Sequence, residues 1–143
     1  KFAIEFMKYE KRYKYPHMAP LDVAIWERFI DQNPDFFDEV DYDVAVGSKP
    51  EFDTVVNSET GGDTLRLYQK KIDVVGHKGG NVWIIEVKPN AALTALGQVL
   101  SYTTLYKKFV NSTADITTAI LTDRIVIDMP LLAEELNVKI LIA

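Results

Sequence analysis

The sequence predicts a single α/β domain in which helices pack on a mixed β-sheet. The chain has 143 residues, a length that suits one domain with one core. Along it, segments with helical spacing of apolar residues alternate with segments that carry β-strand patterns. Their order is α-β-β-β-α-β, followed by a β-α-β tail. A mixed central sheet flanked by helices accommodates this order, with residues 1–143 in one domain.

The predicted elements follow in chain order. Residues 20–33 form a helix, because Pro20 suits the first helical position and apolar side chains recur at helical spacing. Residues 40–46 alternate between apolar and mainly acidic side chains, which is typical of a half-buried strand. The remaining predictions are a polar loop at 47–63, strands at 65–75 and 81–88, a long helix at 91–110, strands at 113–122 and 124–128, a short helix at 130–136 and a last strand at 138–142.

Composition limits the classes of function. The chain has no cysteine, which excludes disulfides and thiolate metal sites and fits a cytoplasmic location. No apolar run approaches the roughly 20 residues that span a bilayer, so no membrane partner is predicted.

Charge is distributed unevenly along the chain. The net charge of −5 counts against a nucleic-acid binder. A basic arm at about residues 1–19 counts in favour, because its cations are interleaved with tyrosines and can follow a phosphate backbone. The predicted nucleic-acid-binding residues of this arm are Lys8, Lys11, Arg12 and Lys14. A solvated helix end is the alternative interpretation.

Three residues around a glycine-rich turn form the most informative pattern. Asp73 lies near the end of one predicted strand, and Glu86 and Lys88 lie two residues apart at the end of the next. Residues two apart on a strand share a face. Mg²⁺ prefers oxygen ligands, and a lysine beside them can stabilise charge on a phosphate. The pattern therefore predicts a metal-dependent nuclease; an exposed surface pair is the alternative.

This prediction depends on how the two strands pair. A hairpin that turns about the Lys78–Gly79 bond places Asp73 opposite Ile84 and makes Glu86 its diagonal neighbour. Diagonal neighbours lie about 7–8 Å apart at the backbone, so the two carboxylates could share one small cation. A slip of one residue would put them on opposite faces of the sheet.

One nuclease superfamily has a signature that this pattern resembles. Asp73 followed by Glu86-Val87-Lys88 looks like the motif of the PD-(D/E)XK nucleases, which have the restriction-endonuclease-like fold. The resemblance covers roughly residues 21–122, although an isoleucine replaces the proline that names the motif. It implies cleavage of DNA that depends on Mg²⁺ or Mn²⁺, with Asp73 and Glu86 as metal ligands. It also implies the carbonyl of Val87 as a backbone ligand and Lys88 as the catalytic lysine.

Two helices carry further candidates. Gln98 and Tyr102 are four residues apart and so share a helix face. They resemble the Gln-x-x-x-Tyr element of many nucleases in this superfamily, which implies a catalytic role for both. Family members often place an acid from the first helix at the metal, which implies Glu27 as a ligand, with Asp22 and Asp31 as substitutes. An exposed polar pair and a solvated helix acid are the alternatives.

Taken together, these features predict a nuclease that acts on DNA. A homodimer is one predicted arrangement, because small nucleases of this fold often pair to cut both strands. Three alternatives remain open. The protein could be a nuclease-fold module that binds nucleic acid or protein without catalysis, which the acidic balance favours; it could be an RNA endonuclease; or it could be an assembly protein with an acidic interface.

Overall fold

A computed structural model describes residues 6–47 and 70–143. The helices and strands in these ranges are β1 Met7–Lys8, α1 Pro20–Gln32, β2 Glu39–Val46, β3 Lys70–Lys78, β4 Asn81–Val87, α2 Leu93–Phe109, β5 Asp115–Thr122, α3 Met129–Glu135 and β6 Val138–Ile142. The loop predicted at 47–63 and the start of the strand predicted at 65–75 lie largely outside the described residues. No helix in the described ranges has the length and apolarity needed to cross a bilayer.

The described strands form one six-stranded sheet in the order β1 to β6. The pairs β1–β2, β2–β3 and β3–β4 are antiparallel, and the pairs β4–β5 and β5–β6 are parallel. Parallel neighbours need a crossover, which α2 and α3 provide. The predicted α/β fold with a mixed central sheet is confirmed.

Helices cover both faces of this sheet. On one face, α1 packs through an aromatic cluster in which Trp26 stacks on Phe29 at 5.8 Å and donates a 3.0 Å hydrogen bond to the hydroxyl of Tyr42. On the other face, α2 and α3 pack on a mainly aliphatic core. Residues 82–85 of β4 are buried at every position. Cover on both faces explains why this strand is apolar throughout instead of alternating.

One predicted strand differs from the structure. Residues 124–128 do not form a strand; an isolated bridge between Ala91 and Ile125 is the pairing found there. The reason is that the chain after β5 is used to hold the start of α2, since the N–H of Ala91 donates to the carbonyl of Arg124 at 2.8 Å. The basic arm is described from Phe6 onward, where it pairs with the domain through β1.

Strand β2 changes faces in its middle. Residues two apart on a strand normally share a face. Here Tyr42 packs on the α1 side and Val44 on the α2 side. Asp43 lies between them with a φ of 55°, in the left-handed region that non-glycine residues rarely adopt. Its carboxylate lies 3.5 Å from both the ammonium of Lys71 and Nε2 of His17.

Strand β3 makes the same change beside it. Val74 pairs with Tyr42 and packs on the α1 side, whereas Ile72 pairs with Val44 and packs on the α2 side. Asp73 therefore lies at the position where the alternation of both strands reverses. The regular alternation of the sheet is therefore interrupted beside this acid.

Candidate active site

The hairpin of β3 and β4 brings Asp73 and Glu86 together. The pairing begins with Lys78 opposite Asn81 and ends with Val74 opposite Ile85. Asp73 and Glu86 are the next residues on the two strands, and their side chains are joined by a hydrogen bond. Side chains in direct opposition have Cβ atoms about 4.5–5.5 Å apart, closer than diagonal neighbours.

The predicted turn about the Lys78–Gly79 bond is wrong. Ile84 pairs with Val75, not with Asp73, because a two-residue turn uses both glycines, Gly79 and Gly80. Gly79 has a φ of 60°, which two-residue hairpin turns require and glycine adopts without strain. The observed register differs from the predicted one by two residues. The two acids therefore keep a common face, as predicted, and become direct neighbours.

The two strands separate beyond this point, and side chains fill the gap. Strand β4 pairs with β5 through Val87, but with β3 only as far as Ile85. There the carboxylate of Asp73 accepts a 2.9 Å hydrogen bond from the N–H of Val87. This bond fixes the carboxylate beside Glu86. The carbonyl of Val87, the predicted backbone ligand, belongs to the same short segment.

Of the two acids, Glu86 is buried and Asp73 is half-buried. Glu86 is only 6% exposed, and burial together with the charge of Asp73 raises the pKa of Glu86 to about 9. Burial also raises the pKa of Asp73, although its hydrogen bonds with Glu86 and Val87 oppose this. At neutral pH the pair therefore holds one proton, in the hydrogen bond between the two carboxyl groups. Two carboxylates this close do not both ionise readily unless a cation joins them.

Helix α2 supplies the next contacts. The hydroxyl of Tyr102 donates a hydrogen bond to Glu86, and burial together with the nearby carboxylates raises the pKa of Tyr102 to about 12. Gln98 lies one turn earlier and is exposed. Both side chains line a cavity of about 510 Å³, together with Lys70 and small residues of α2. The structure thus brings both predicted α2 residues to the same side as Glu86, with Tyr102 in contact.

Lys88 lies close enough for its charge to act on both the acid pair and α1. Its backbone N–H donates to the carbonyl of Leu121 at 2.9 Å, which extends the parallel pairing past the end of β4. The positive charge of Lys88 acts on Asp22 and on Glu86, in each case lowering a pKa that burial raises. Asp22 in turn acts on Asp73 and Glu86. The acid that α1 brings to this cluster is therefore Asp22.

Glu27 lies elsewhere on α1. It is five residues after Asp22, which places it roughly 140° further around a helix with 3.6 residues per turn. Its carboxylate accepts a 3.0 Å hydrogen bond from the hydroxyl of Tyr15 in the N-terminal segment. The structure therefore does not bring Glu27 to the acid pair. Sequence spacing could not separate the two acids, because both lie in one predicted helix.

The turn between β4 and α2 is held by groups that the sequence did not single out. Asn90, with a φ of 49°, donates its N–H to Asp123 at 2.8 Å, and Ala91 donates to the hydroxyl of the buried Thr122 at 3.1 Å. These bonds tie the segment after Lys88 to the end of β5. The signal in the sequence is weak, since a polar pair after a strand is common in loops.

The basic N-terminal residues differ in their surroundings. Lys8 lies 3.6 Å from Glu10, and Lys11 lies 2.9 Å from Asp31. Arg12 and Lys14, the other two predicted nucleic-acid contacts, flank the exposed Tyr13. The charges of Lys8 and Lys11 are therefore partly offset by neighbouring acids.

The residues around the acid pair fit a hard divalent cation. No group of three or more histidines, cysteines or acids in residues 6–47 and 70–143 is arranged to hold a metal ion. The pair itself offers two carboxylates, and Oε2 of Glu86 is buried with no hydrogen-bond partner among the described residues. A buried carboxylate oxygen without a partner is costly unless a ligand satisfies it. Oxygen donors are what Mg²⁺ and Mn²⁺ prefer.

Comparison with known proteins bears on the fold. No protein-family model matches the chain, and no curated protein does. A solved repair endonuclease from Pyrococcus abyssi is similar to it with a TM-score of 0.50 and 16% identity, over 94% of this chain and 49% of that one. The EndoMS–dsDNA2 complex is similar with a TM-score of 0.50 and 16% identity, over 93% of this chain and 49% of that one.

The chain has the restriction-endonuclease-like fold of these two solved structures. This confirms the fold that the resemblance in the sequence implies. The chain spans about half the length of both solved proteins, and at this identity the likeness concerns the fold alone. In this restriction-endonuclease-like domain, the motif residues occupy the open end of the β3–β4 hairpin.

Proposed function

We propose that the protein is a metal-dependent nuclease that hydrolyses phosphodiester bonds in DNA. One observation carries the proposal: the buried carboxyl of Glu86 and the half-buried carboxyl of Asp73 meet where β3 and β4 separate, with Lys88 nearby. Such a close acid pair, with one member buried, is unfavourable for stability, so a functional reason for it is expected. The fold supports the proposal, as does the fact that one similar structure is a repair endonuclease and the other a complex with double-stranded DNA.

The proposed ligands of Mg²⁺ or Mn²⁺ are Asp73, Glu86 and the carbonyl of Val87. Asp22 takes the place that the sequence assigned to Glu27, because Asp22 interacts with the pair. Such a cation, when bound, favours ionisation of water and offsets negative charge on the phosphate. Within the protein, the N–H of Val87 holds Asp73, and Tyr102 holds Glu86, so both carboxylates keep their orientation.

Lys88 and Gln98 are proposed to act on the substrate. The side chain of Lys88 is exposed near the acid pair, so its ammonium can reach a phosphate oxygen as negative charge builds there in the transition state. The exposed amide of Gln98, one turn from Tyr102, is placed to donate to a neighbouring phosphate.

The test is cleavage of linear, circular, branched and single-stranded DNA with Mg²⁺ or Mn²⁺, compared for the parent protein, Lys88→Ala and the control Lys107→Ala. Lys107 is an exposed lysine at the far end of α2. We expect the parent and Lys107→Ala to cut at equal rates. Loss of Lys88 should lower kcat roughly 100- to 1,000-fold, as for removal of one transition-state donor. Intact DNA in every reaction, or equal rates for all three proteins, would refute the proposal.

A second candidate is a nuclease-fold module that binds nucleic acid or protein without cutting. The observation that favours it is the net charge of −5, which is unusual for a nucleic-acid enzyme. It predicts no specific uptake of Mn²⁺, whereas the nuclease should be stabilised by Mn²⁺ in a thermal melt and lose that response in Asp73→Ala. RNA of the same sequence, tested in parallel, distinguishes an RNA endonuclease. A homodimer belongs to the nuclease proposal and is checked by light scattering.

A further inference from the structure

Tyr13 projects from the surface between two cations. Its side chain is fully exposed, at 108% of the reference area, while Tyr9 and Tyr15 on either side are buried. A tyrosine in a protein core or interface typically buries about 150–250 Å². Tyr13 forgoes that stabilisation, so it contributes little to the folded state of the domain.

The segment that carries Tyr13 is nonetheless anchored on both sides. The hydroxyl of Tyr9 donates to the carbonyl of Asn33 at 2.8 Å. The hydroxyl of Tyr15 accepts a 2.8 Å hydrogen bond from the N–H of Arg12 and donates to Glu27 at 3.0 Å. Anchored flanks lower the conformational entropy that Tyr13 would lose on binding a ligand. A single exposed aromatic is ordinary, but one presented by an anchored turn is suited to recognition.

The charges around Tyr13 favour an anionic ligand. Lys14 is exposed, whereas Arg12 is half-buried and its charge acts on the hydroxyls of Tyr15 and Tyr42. The acids paired with Lys8 and Lys11 are Glu10 and Asp31, and no ion pair of Lys14 is found in the part of the chain that the structure describes. An exposed aromatic ring next to an exposed cation is the combination that binds single-stranded nucleic acid, in which bases stack on rings while cations follow the backbone.

The segment also leads toward the acid pair. His17, four residues after Tyr13, lies 3.5 Å from Asp43, whose charge acts on Asp73. Four residues span at most about 14 Å. The chain then enters α1, whose first turn carries Asp22. A DNA strand of a few nucleotides could therefore contact the turn and the acid pair together.

We propose that Tyr13 stacks on an unstacked base of the DNA substrate, in a single-stranded or locally opened stretch, with Lys14 on a flanking phosphate. This inference rests on the proposed nuclease function and defines the form of its substrate. Bases within an intact duplex present no free ring face, so the site selects strands whose bases are unpaired.

The test measures the affinity of a labelled single-stranded oligonucleotide by fluorescence anisotropy in EDTA, where the nuclease cannot cut. Tyr13→Ala should raise Kd roughly 5- to 150-fold, the value of one stacked base. Tyr13→Phe and Tyr13→Trp should stay near the parent, because they keep a ring. The control Phe109→Ala removes another partly exposed aromatic, at the end of α2, and should change nothing.

An abasic oligonucleotide separates stacking from other causes. Without bases, Tyr13→Ala should bind as the parent does, whereas Lys14→Ala should weaken binding to both oligonucleotides. Equal affinity of Tyr13→Ala and parent for the normal strand, equal losses on both strands, or tighter binding of RNA would overturn the inference. If the parent protein still cuts DNA when one of these outcomes is found, the proposed nuclease function stands without the stacking site. A parent that neither binds nor cuts any DNA would refute both.

Discussion

The two ends of the β3–β4 hairpin differ in what fills the space between the strands. At the turn end, Lys78 and Asn81 pair in a regular backbone ladder closed by two glycines. At the open end the ladder stops, and the carboxylate of Asp73 accepts a hydrogen bond from the N–H of Val87. The turn residues 78–80 are exposed, whereas the open end holds the buried Glu86 against the half-buried Asp73. The turn end sets the register of the two strands, and this register brings Asp73 and Glu86 together at the open end.

The strongest test of this difference is loss of an acid at the open end. Glu86→Gln should lower nuclease activity by at least about 1,000-fold, because a neutral amide offers a divalent cation a poorer ligand and removes a negative charge. The measurement is kcat with Mn²⁺ on the substrate that the parent cuts best. Glu135→Gln, an exposed acid of α3, is the matched control and should retain parent activity. If Glu86→Gln retained activity, the catalytic site would not lie at the open end of the hairpin.

The same acid should make stability fall as pH rises. The pKa of Glu86 in the folded protein is about 9, above its usual value of 4.5, so the folded protein keeps a proton that the unfolded chain releases. Its contribution to the free energy of unfolding is complete below pH 4.5 and is lost as the pH rises toward 9. Between pH 5 and pH 8 the loss is at most about 4 kcal/mol for one proton.

Urea unfolding in EDTA at pH 5, 6.5 and 8 measures this loss. Glu86→Gln keeps a hydrogen-bond donor toward Asp73 but cannot ionise, so its stability should be nearly flat over this range. It should exceed the parent in stability at pH 8 while failing in catalysis. A parent as pH-independent as the variant would show that the pair is not held in a shared-proton state.

The backbone beside the open end gives a smaller effect. Asp43 has a φ of 55°, a conformation that asparagine tolerates and valine does not. Asp43→Val should lower the free energy of unfolding by about 1–3 kcal/mol, the cost of one strained residue. Asp43→Asn keeps the conformation without the charge and should lose less. Equal unfolding curves for the two variants would mean that the face change of β2 does not depend on this residue.

The turn end should show the smallest effect. Gly79 has a φ of 60° and open space around an added Cβ, so Gly79→Ala is penalised by the backbone alone, at roughly 1–2 kcal/mol. Gly79→Asn should lose less, because asparagine is common at such turn positions. Both variants should cleave DNA at the parent rate once folded. Loss of activity in a stable Gly79→Asn would show that the register at the open end is set less firmly than the ladder suggests.

Much of the fold follows from local patterns. Helical spacing placed α1 within one residue of its observed bounds, and the bounds of β6 agree with those predicted. Both are continuous segments whose apolar residues repeat with one period. The strand expected at 124–128 failed because its residues hold the start of α2, which is a contact between segments more than thirty positions apart. The change of faces at Asp43 could not be predicted either, because the apolar residues of 40–46 alternate regularly in the sequence.

The sequence by itself determined the class of the fold and the residues Asp73, Glu86, Lys88, Gln98 and Tyr102 as candidates. Their spacing on strands and one helix is a local property of the chain. Only the tertiary structure decided that Asp73 faces Glu86 directly, because cross-strand register depends on the turn. It also decided that Asp22 rather than Glu27 joins them, because that choice depends on how α1 is rotated against the sheet.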